Sequence, residues 1–169
     1  MLKIQIKIQH RDTESTELHR GTEEQRNRET EEQRNRETGE MSEFEHNTIS
    51  GQIINAAIEV HRELGAGLLE SVYEYCLLDE LKRRGLRAER QILIPVCYKG
   101  NQLDKEFVID ILVEDKIVVE LKSVEAILPI HEFQLLTYLK LSVKKLGLLI
   151  NFNVPQLKDG IRRKIIGTL

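Results

Sequence analysis

The stretch that most constrains this chain is Phe107-Val-Ile-Asp110-Ile-Leu-Val-Glu-Asp-Lys-Ile-Val-Val-Glu120-Leu-Lys122. Two runs rich in Val, Ile and Leu are joined by a short charged turn, a pattern that predicts a hairpin built into a core. Three ionisable groups interrupt it. Asp110 lies between Ile109 and Ile111, while Glu120 and Lys122 flank Leu121. With a period of two, Glu120 and Lys122 share one face of their strand, and Ile117, Val119 and Leu121 take the other. An unpaired buried carboxylate costs several kcal/mol, so Asp110 needs a cation, a hydrogen-bond donor or a wet edge.

The turn decides whether the acids meet. In an antiparallel pair, Asp110 stands opposite Glu120 only if Val113 stands opposite Ile117, which leaves Glu114-Asp115-Lys116 as the loop. A two-residue loop sends the two carboxylates to opposite faces unless a bulge restores them. Convergent, they offer hard oxygen ligands to magnesium or manganese, with an ammonium placed to orient or deprotonate an attacking water. The bland reading of the same residues is an ion pair at a strand end.

A chain of 169 residues, 40% hydrophobic, is long enough for one domain with a real core. Its formal charge of −3 supplies no global basic field for nucleic acid, so any such contact must be local. Cys76 and Cys97 have neither metal-ligand nor disulfide-framework spacing and read as small core residues in a reducing compartment. No apolar run approaches the roughly 20 residues that span a bilayer, and no signal peptide is visible, so the cytoplasm is the expected address.

Residues 1–40 differ from the rest. Thr22-Glu-Glu-Gln-Arg-Asn-Arg-Glu29 recurs unchanged as Thr30-Glu-Glu-Gln-Arg-Asn-Arg-Glu37, and between Ile8 and Met41 the sole large aliphatic residue is Leu18. The expectation is a disordered or helical charged tail, with Met41 a candidate start of the working protein and residues 41–169 its domain.

From Asn47 a helical face of Ile49, Ile53, Ala56, Ala57, Val60 and Leu64 appears, with Thr48 or Ser50 as candidate caps and Gly65-Ala-Gly67 as its end. A second helix is expected from Leu69 to Arg84, with Leu69, Val72, Cys76 and Leu77 inward and Glu70, Tyr73, Glu74 and Leu77 along one stripe. Glu70 in the first turn also suits the helix dipole, Tyr73 reads as core, and His61 as a half-buried histidine or a ligand. A strand runs from Arg87 to Tyr98, with Pro95 marking an edge or bulge, and Lys99-Gly-Asn101 turns into the hairpin. Pro129 starts a third helix that puts Gln134 and Tyr138 one turn apart, and Leu146 to Phe152 reads as a strand buried on both sides. A last helix is expected from Pro155, with Leu157, Ile161 and Ile165 inward and Arg162, Arg163 and Lys164 as a basic cluster. This order is that of an α+β domain with helices flanking a mixed sheet.

Gly67-Leu-Leu-Glu70-Ser-Val-Tyr73 resembles the signature of the GxxExxY proteins, a small family placed in the PD-(D/E)XK nuclease-like superfamily. The likeness continues through Asp110, Glu120-Leu-Lys122, His131-Glu-Phe-Gln134-Leu-Leu-Thr-Tyr138 and Gly147-Leu-Leu-Ile-Asn151-Phe, and runs from residue 47 to the C terminus. Ile109 stands where the superfamily name has Pro. The resemblance implies a restriction-endonuclease-like core of order αβββαβ. It implies that Glu70, Asp110 and Glu120 hold magnesium or manganese, that Lys122 assists the attacking water, and that Gln134 and, more remotely, Tyr138 support the site. The activity implied is metal-dependent hydrolysis of phosphodiester bonds in nucleic acid. Lys122 is open to two roles, a base with depressed pKa or a charge that stabilises the transition state. The alternative function is a non-catalytic binding or accessory module that keeps the fold.

Because residues 1–40 carry too little apolar surface to order themselves, their removal is expected to leave the melting temperature of the remaining domain unchanged, as read by differential scanning calorimetry on both forms.

Overall fold

The computed structural model describes residues 42–169, together with Arg26 and Thr30. The chain divides into two units, Met1–Ser42 and Glu43–Leu169. Apart from Arg26 and Thr30, the expected charged tail lies outside the described residues; those two are helical and exposed, with Thr30 Oγ1 donating to the Arg26 carbonyl.

Helix α1 (Glu43–Leu64) buries Ile53, Ala56, Ala57 and Val60 of the expected face, with Ile49 partly buried and Leu64, at the helix end, exposed. It begins one turn before Asn47, because Glu43 and Glu45 meet the positive end of the helix there. Thr48 and Ser50 are therefore not caps: their hydroxyls donate back to the carbonyls of Phe44 and Asn47. Helix α2 (Glu70–Arg83) turns Tyr73, Glu74, Leu77 and Leu81 inward, while Leu69 and Val72 stay exposed, against expectation. Tyr73 sets this rotation. Its ring stacks on Phe152 with centroids 4.3 Å apart, and its hydroxyl donates to the Gly65 carbonyl and accepts from Leu68 N–H.

Five strands form one sheet in the order β1-β2-β3-β4-β5: β1 (Ala88–Tyr98), β2 (Asn101–Val113), β3 (Ile117–Lys122), β4 (Leu146–Asn151) and β5 (Ile161–Ile165). All neighbours are antiparallel except β3 and β4, whose parallel pairing needs a crossover, supplied by α3 (Pro129–Ser142). Val113 pairs with Ile117, so the hairpin has the odd loop that convergence requires. The register shifts between Pro95 and Cys97 on edge strand β1, as the proline predicts. Cys97 is exposed there rather than in the core.

Two apolar clusters sandwich the sheet. The larger joins α1 and α2 to Ile111, Val113, Ile117, Val119, Leu121, Leu146, Leu148 and Ile150; the smaller joins Leu135, Tyr138 and Leu139 of α3 to Ile94, Ile109, Val118 and Leu149. β4 is buried along its whole length, which its nearly unbroken apolar run foretells.

The expected last helix is absent. After a 3-10 turn at Leu157–Gly160 the chain becomes β5, an edge strand on β4, with Ile161 opposite Ile150 and Ile165 opposite Leu146. A helix here would leave the buried β4 with an unpaired edge, and that backbone cost outweighs the helical spacing of Leu157, Ile161 and Ile165. Ile165 is consequently exposed, and Arg162 and Arg163 give the edge the charges that discourage further pairing. Gly160 makes the turn possible, since a Cβ there would overlap the Asn151 carbonyl oxygen. Gly160→Ala is expected to lower stability by about 1–3 kcal/mol in urea unfolding. Gly51→Ala, inside α1 with open space around it, is expected to raise it by about 0.5–1 kcal/mol in the same measurement.

Candidate active site

The β2–β3 ladder stops at the pair Ile111–Val119. One residue further the strands separate, and the side chain of Asp110 replaces the missing backbone acceptor: its Oδ2 takes the Leu121 N–H at 2.7 Å. Glu120 is 2% exposed. Its Oε1 accepts from Lys122 Nζ at 2.7 Å, and its Oε2 is buried with no hydrogen-bond partner. Glu70 stands exposed at the start of α2 and accepts the Ser123 N–H at 3.0 Å. On α3, Gln134 Nε2 donates to the Tyr138 hydroxyl at 2.6 Å, and the Tyr138 ring tilts against Phe107.

These groups feel one another. Burial, reinforced by the charge of Asp110, pushes the Glu120 carboxyl up to about 7, against the opposing pull of Lys122. Burial likewise raises the Asp110 carboxyl, with Glu74 and Glu70 adding to it, although the Leu121 N–H and Lys122 resist. For Lys122 burial acts downward, but the hydrogen bond and charge of Glu120, with Glu70 and Asp110, outweigh it and hold the ammonium above its usual range. Burial also raises the Tyr138 hydroxyl, which Gln134 partly offsets. The structure thus brings Glu70, Asp110, Glu120 and Lys122 into one electrostatic neighbourhood, with Tyr138 on its α3 side.

The segment after Lys122 is clamped from two directions. Asn151, 1% exposed at the end of β4, accepts Val124 N–H through Oδ1 and donates Nδ2 to the Val124 carbonyl, completing with its side chain one more rung of the β3–β4 pairing. Ser123 Oγ donates to the Leu68 carbonyl, in the loop that Tyr73 ties down. Sequence reasoning gave no role to Asn151, Ser123 or Glu74. Asn151 carries a signal all the same: a polar residue closing an otherwise apolar buried strand must find hydrogen bonds. Glu74, one turn past Glu70, is buried and also raises the Asp110 carboxyl. His61 is no free ligand, since its Nε2 lies 2.8 Å from the Val154 carbonyl.

The donor set is oxygen-rich and suits a hard divalent cation, and the orphaned Glu120 Oε2 is a buried acceptor in want of one. Among the described residues no three His, Cys, Asp or Glu side chains stand grouped as a finished cation cage. Each acid instead holds a protein donor, so engagement of a cation requires side-chain adjustment at Asp110 and Glu70.

The family model of the PD-(D/E)XK nuclease superfamily matches residues 47–164, and the chain belongs to that superfamily. Its five-stranded mixed sheet with three helices is the α+β, restriction-endonuclease-like architecture of those proteins, which in general act on nucleic acid with divalent metals such as magnesium. A solved structure described as "Crystal structure of SSO0001" is 24% identical over 59% of this chain, with a TM-score of 0.42, and the chain spans 50% of its length. No curated protein matches. Among the described residues no helix is long and apolar enough to cross a membrane.

Glu120 sets a pH dependence. Its folded-state pKa of about 7 lies above the ordinary 4.5, so between those values the folded protein binds the extra proton. Stability of the metal-free protein is therefore gained as pH falls from about 8 to about 5, by on the order of 3 kcal/mol from this group. Glu120→Gln is expected to flatten that slope in urea titrations with chelator present; an unchanged slope would assign it to other groups.

Proposed function

We propose that this chain is a divalent-metal-dependent nuclease and, within its superfamily, a GxxExxY protein carrying that signature at Gly67, Glu70 and Tyr73. The observation that carries the reading is the buried Glu120, held 2.7 Å from Lys122 and beside Asp110, with one oxygen unpartnered. A buried carboxylate left unsatisfied costs about 1–3 kcal/mol or more, and a fold keeps that cost where the group has work to do.

Asp110, Glu120 and Glu70 would hold the ion, magnesium or manganese. A divalent ion at this place supplies positive charge to the phosphoryl oxygens and lowers the pKa of water. Lys122, hydrogen-bonded to Glu120, would act at the attacking water and the phosphate, as a base or as a charge that stabilises the transition state. Gln134 fixes the rotation of the Tyr138 hydroxyl, and the raised pKa of Tyr138 keeps that hydroxyl neutral. Glu70 differs from the other two acids in being exposed and free to exchange the Ser123 N–H for a ligand.

One observation favours the competing reading of a non-catalytic module: the acids are engaged by protein donors rather than assembled as a cage. Cleavage separates the two. The purified chain is expected to cut members of a panel of single-stranded, duplex and branched DNA and RNA in magnesium or manganese, and none in excess chelator. Lys122→Ala should reduce the rate about 100-fold or more while leaving metal affinity largely intact. Asp110→Asn should lose both, and without metal should be more stable than wild type, because one of the repelling acids is gone. Absence of cleavage across the panel, with no thermal shift from either metal, would establish the binding-module reading instead.

A further inference from the structure

Gln91 has a backbone φ of +55° in the middle of β1. A residue with a Cβ rarely adopts this left-handed conformation, and inside a strand it requires a cause. No turn or change of register supplies one: Arg90 pairs with Ile111 and Ile92 with Ile109, which puts Gln91 opposite Asp110. The side chain is anchored. Gln91 Nε2 donates to Glu74 Oε2 at 2.6 Å, and Glu74 is 7% exposed on α2. The other Glu74 oxygen faces Arg90 Nε at 3.0 Å, and the Arg90 guanidinium lies 4.0 Å over the Tyr75 ring.

What the conformation does is visible in the two clusters. Before this rung, Ala88 on β1 and Ile111 and Val113 on β2 pack toward α1 and α2. Beyond it, Ile92 and Ile94 on β1 and Ile109 on β2 pack toward α3. Residues two apart on a strand ordinarily share a face, so both strands have exchanged faces at a single rung. That rung is Gln91 and Asp110. The turnover leaves Asp110 claimed by neither core, where its carboxylate reaches the Leu121 N–H next to Glu120.

We propose that Gln91 is a positioning residue for Asp110: anchored to Glu74, it holds the left-handed turnover of the β1–β2 ribbon that aims the Asp110 carboxylate at the end of β3. The role rests on the metal-dependent reading above, and Glu74 serves it as the fixed point on α2, with its other oxygen facing Arg90 of β1. It accounts for a half-buried ion pair and a strained backbone that the metal ligands alone leave unexplained.

The test uses the full chain and two substitutions with opposite content. Gln91→Gly adopts the positive φ freely but loses the anchor; Gln91→Asn tolerates the φ and keeps an amide. Gln91→Gly is expected to melt close to wild type while losing about 10- to 100-fold in magnesium affinity by calorimetry and in cleavage rate, the range for a residue that orients a ligand. Gln91→Asn should recover part of both. Wild-type magnesium affinity and cleavage in Gln91→Gly, alongside their loss in Asp110→Asn, would overturn the positioning role and leave the nuclease reading intact. A loss of affinity in Gln91→Gly that merely follows a fall in melting temperature would also overturn it. A wild type that neither binds magnesium nor cleaves overturns the nuclease reading, and this role with it.

Discussion

Asp110 accepts the Leu121 N–H at the point where β2 and β3 part, and much of the domain is arranged around the consequences. A sheet that stayed fully paired would bury Asp110 between two cores, at a cost of several kcal/mol. Splaying the strands gives the carboxylate a backbone donor and an open side. The same separation leaves Glu120 facing Lys122 at the end of β3, so that two acids and one ammonium share a half-buried corner instead of three solvated positions.

The rest of the fold holds that corner open yet fixed. Parallel pairing with β4 keeps β3 straight up to Lys122, and the Asn151 side chain extends the pairing to Val124. Tyr73, stacked on Phe152, ties the loop before α2 to the core, and that loop in turn receives the Ser123 hydroxyl. Glu70 is held over the corner from α2 and Tyr138 from α3. Helices on opposite faces of the sheet thus contribute to one site at its end, as the two apolar clusters require.

The sequence made much of this legible, for reasons that can be named. The facing of Ile117, Val119 and Leu121 followed from a strand period of two; loop arithmetic stated the condition for Asp110 and Glu120 to meet, and the Val113–Ile117 register that meets it came from the structure. The third helix announced itself through Pro129. The fate of residues 155–165 was not legible, because Leu157, Ile161 and Ile165 recur at helical spacing while the demand that overrides them, the open edge of β4, comes from a strand elsewhere in the chain. Leu69 and Val72 misled for a related reason: Tyr73 fixes the rotation of α2 through Phe152, far away in sequence.

By itself the sequence determined the chemistry of this protein and its local order: which residues are acids and bases, which runs extend or coil, and which strand positions share a face. Those depend on side-chain type and on a fixed backbone repeat, and both are local. Only the tertiary structure decided that Glu120 keeps an unpartnered oxygen, that Glu74 grips Gln91, and that β1 and β2 exchange faces at Asp110. Burial, strain and orphaned hydrogen bonds depend on which distant segments arrive to cover a residue, and no local pattern records that.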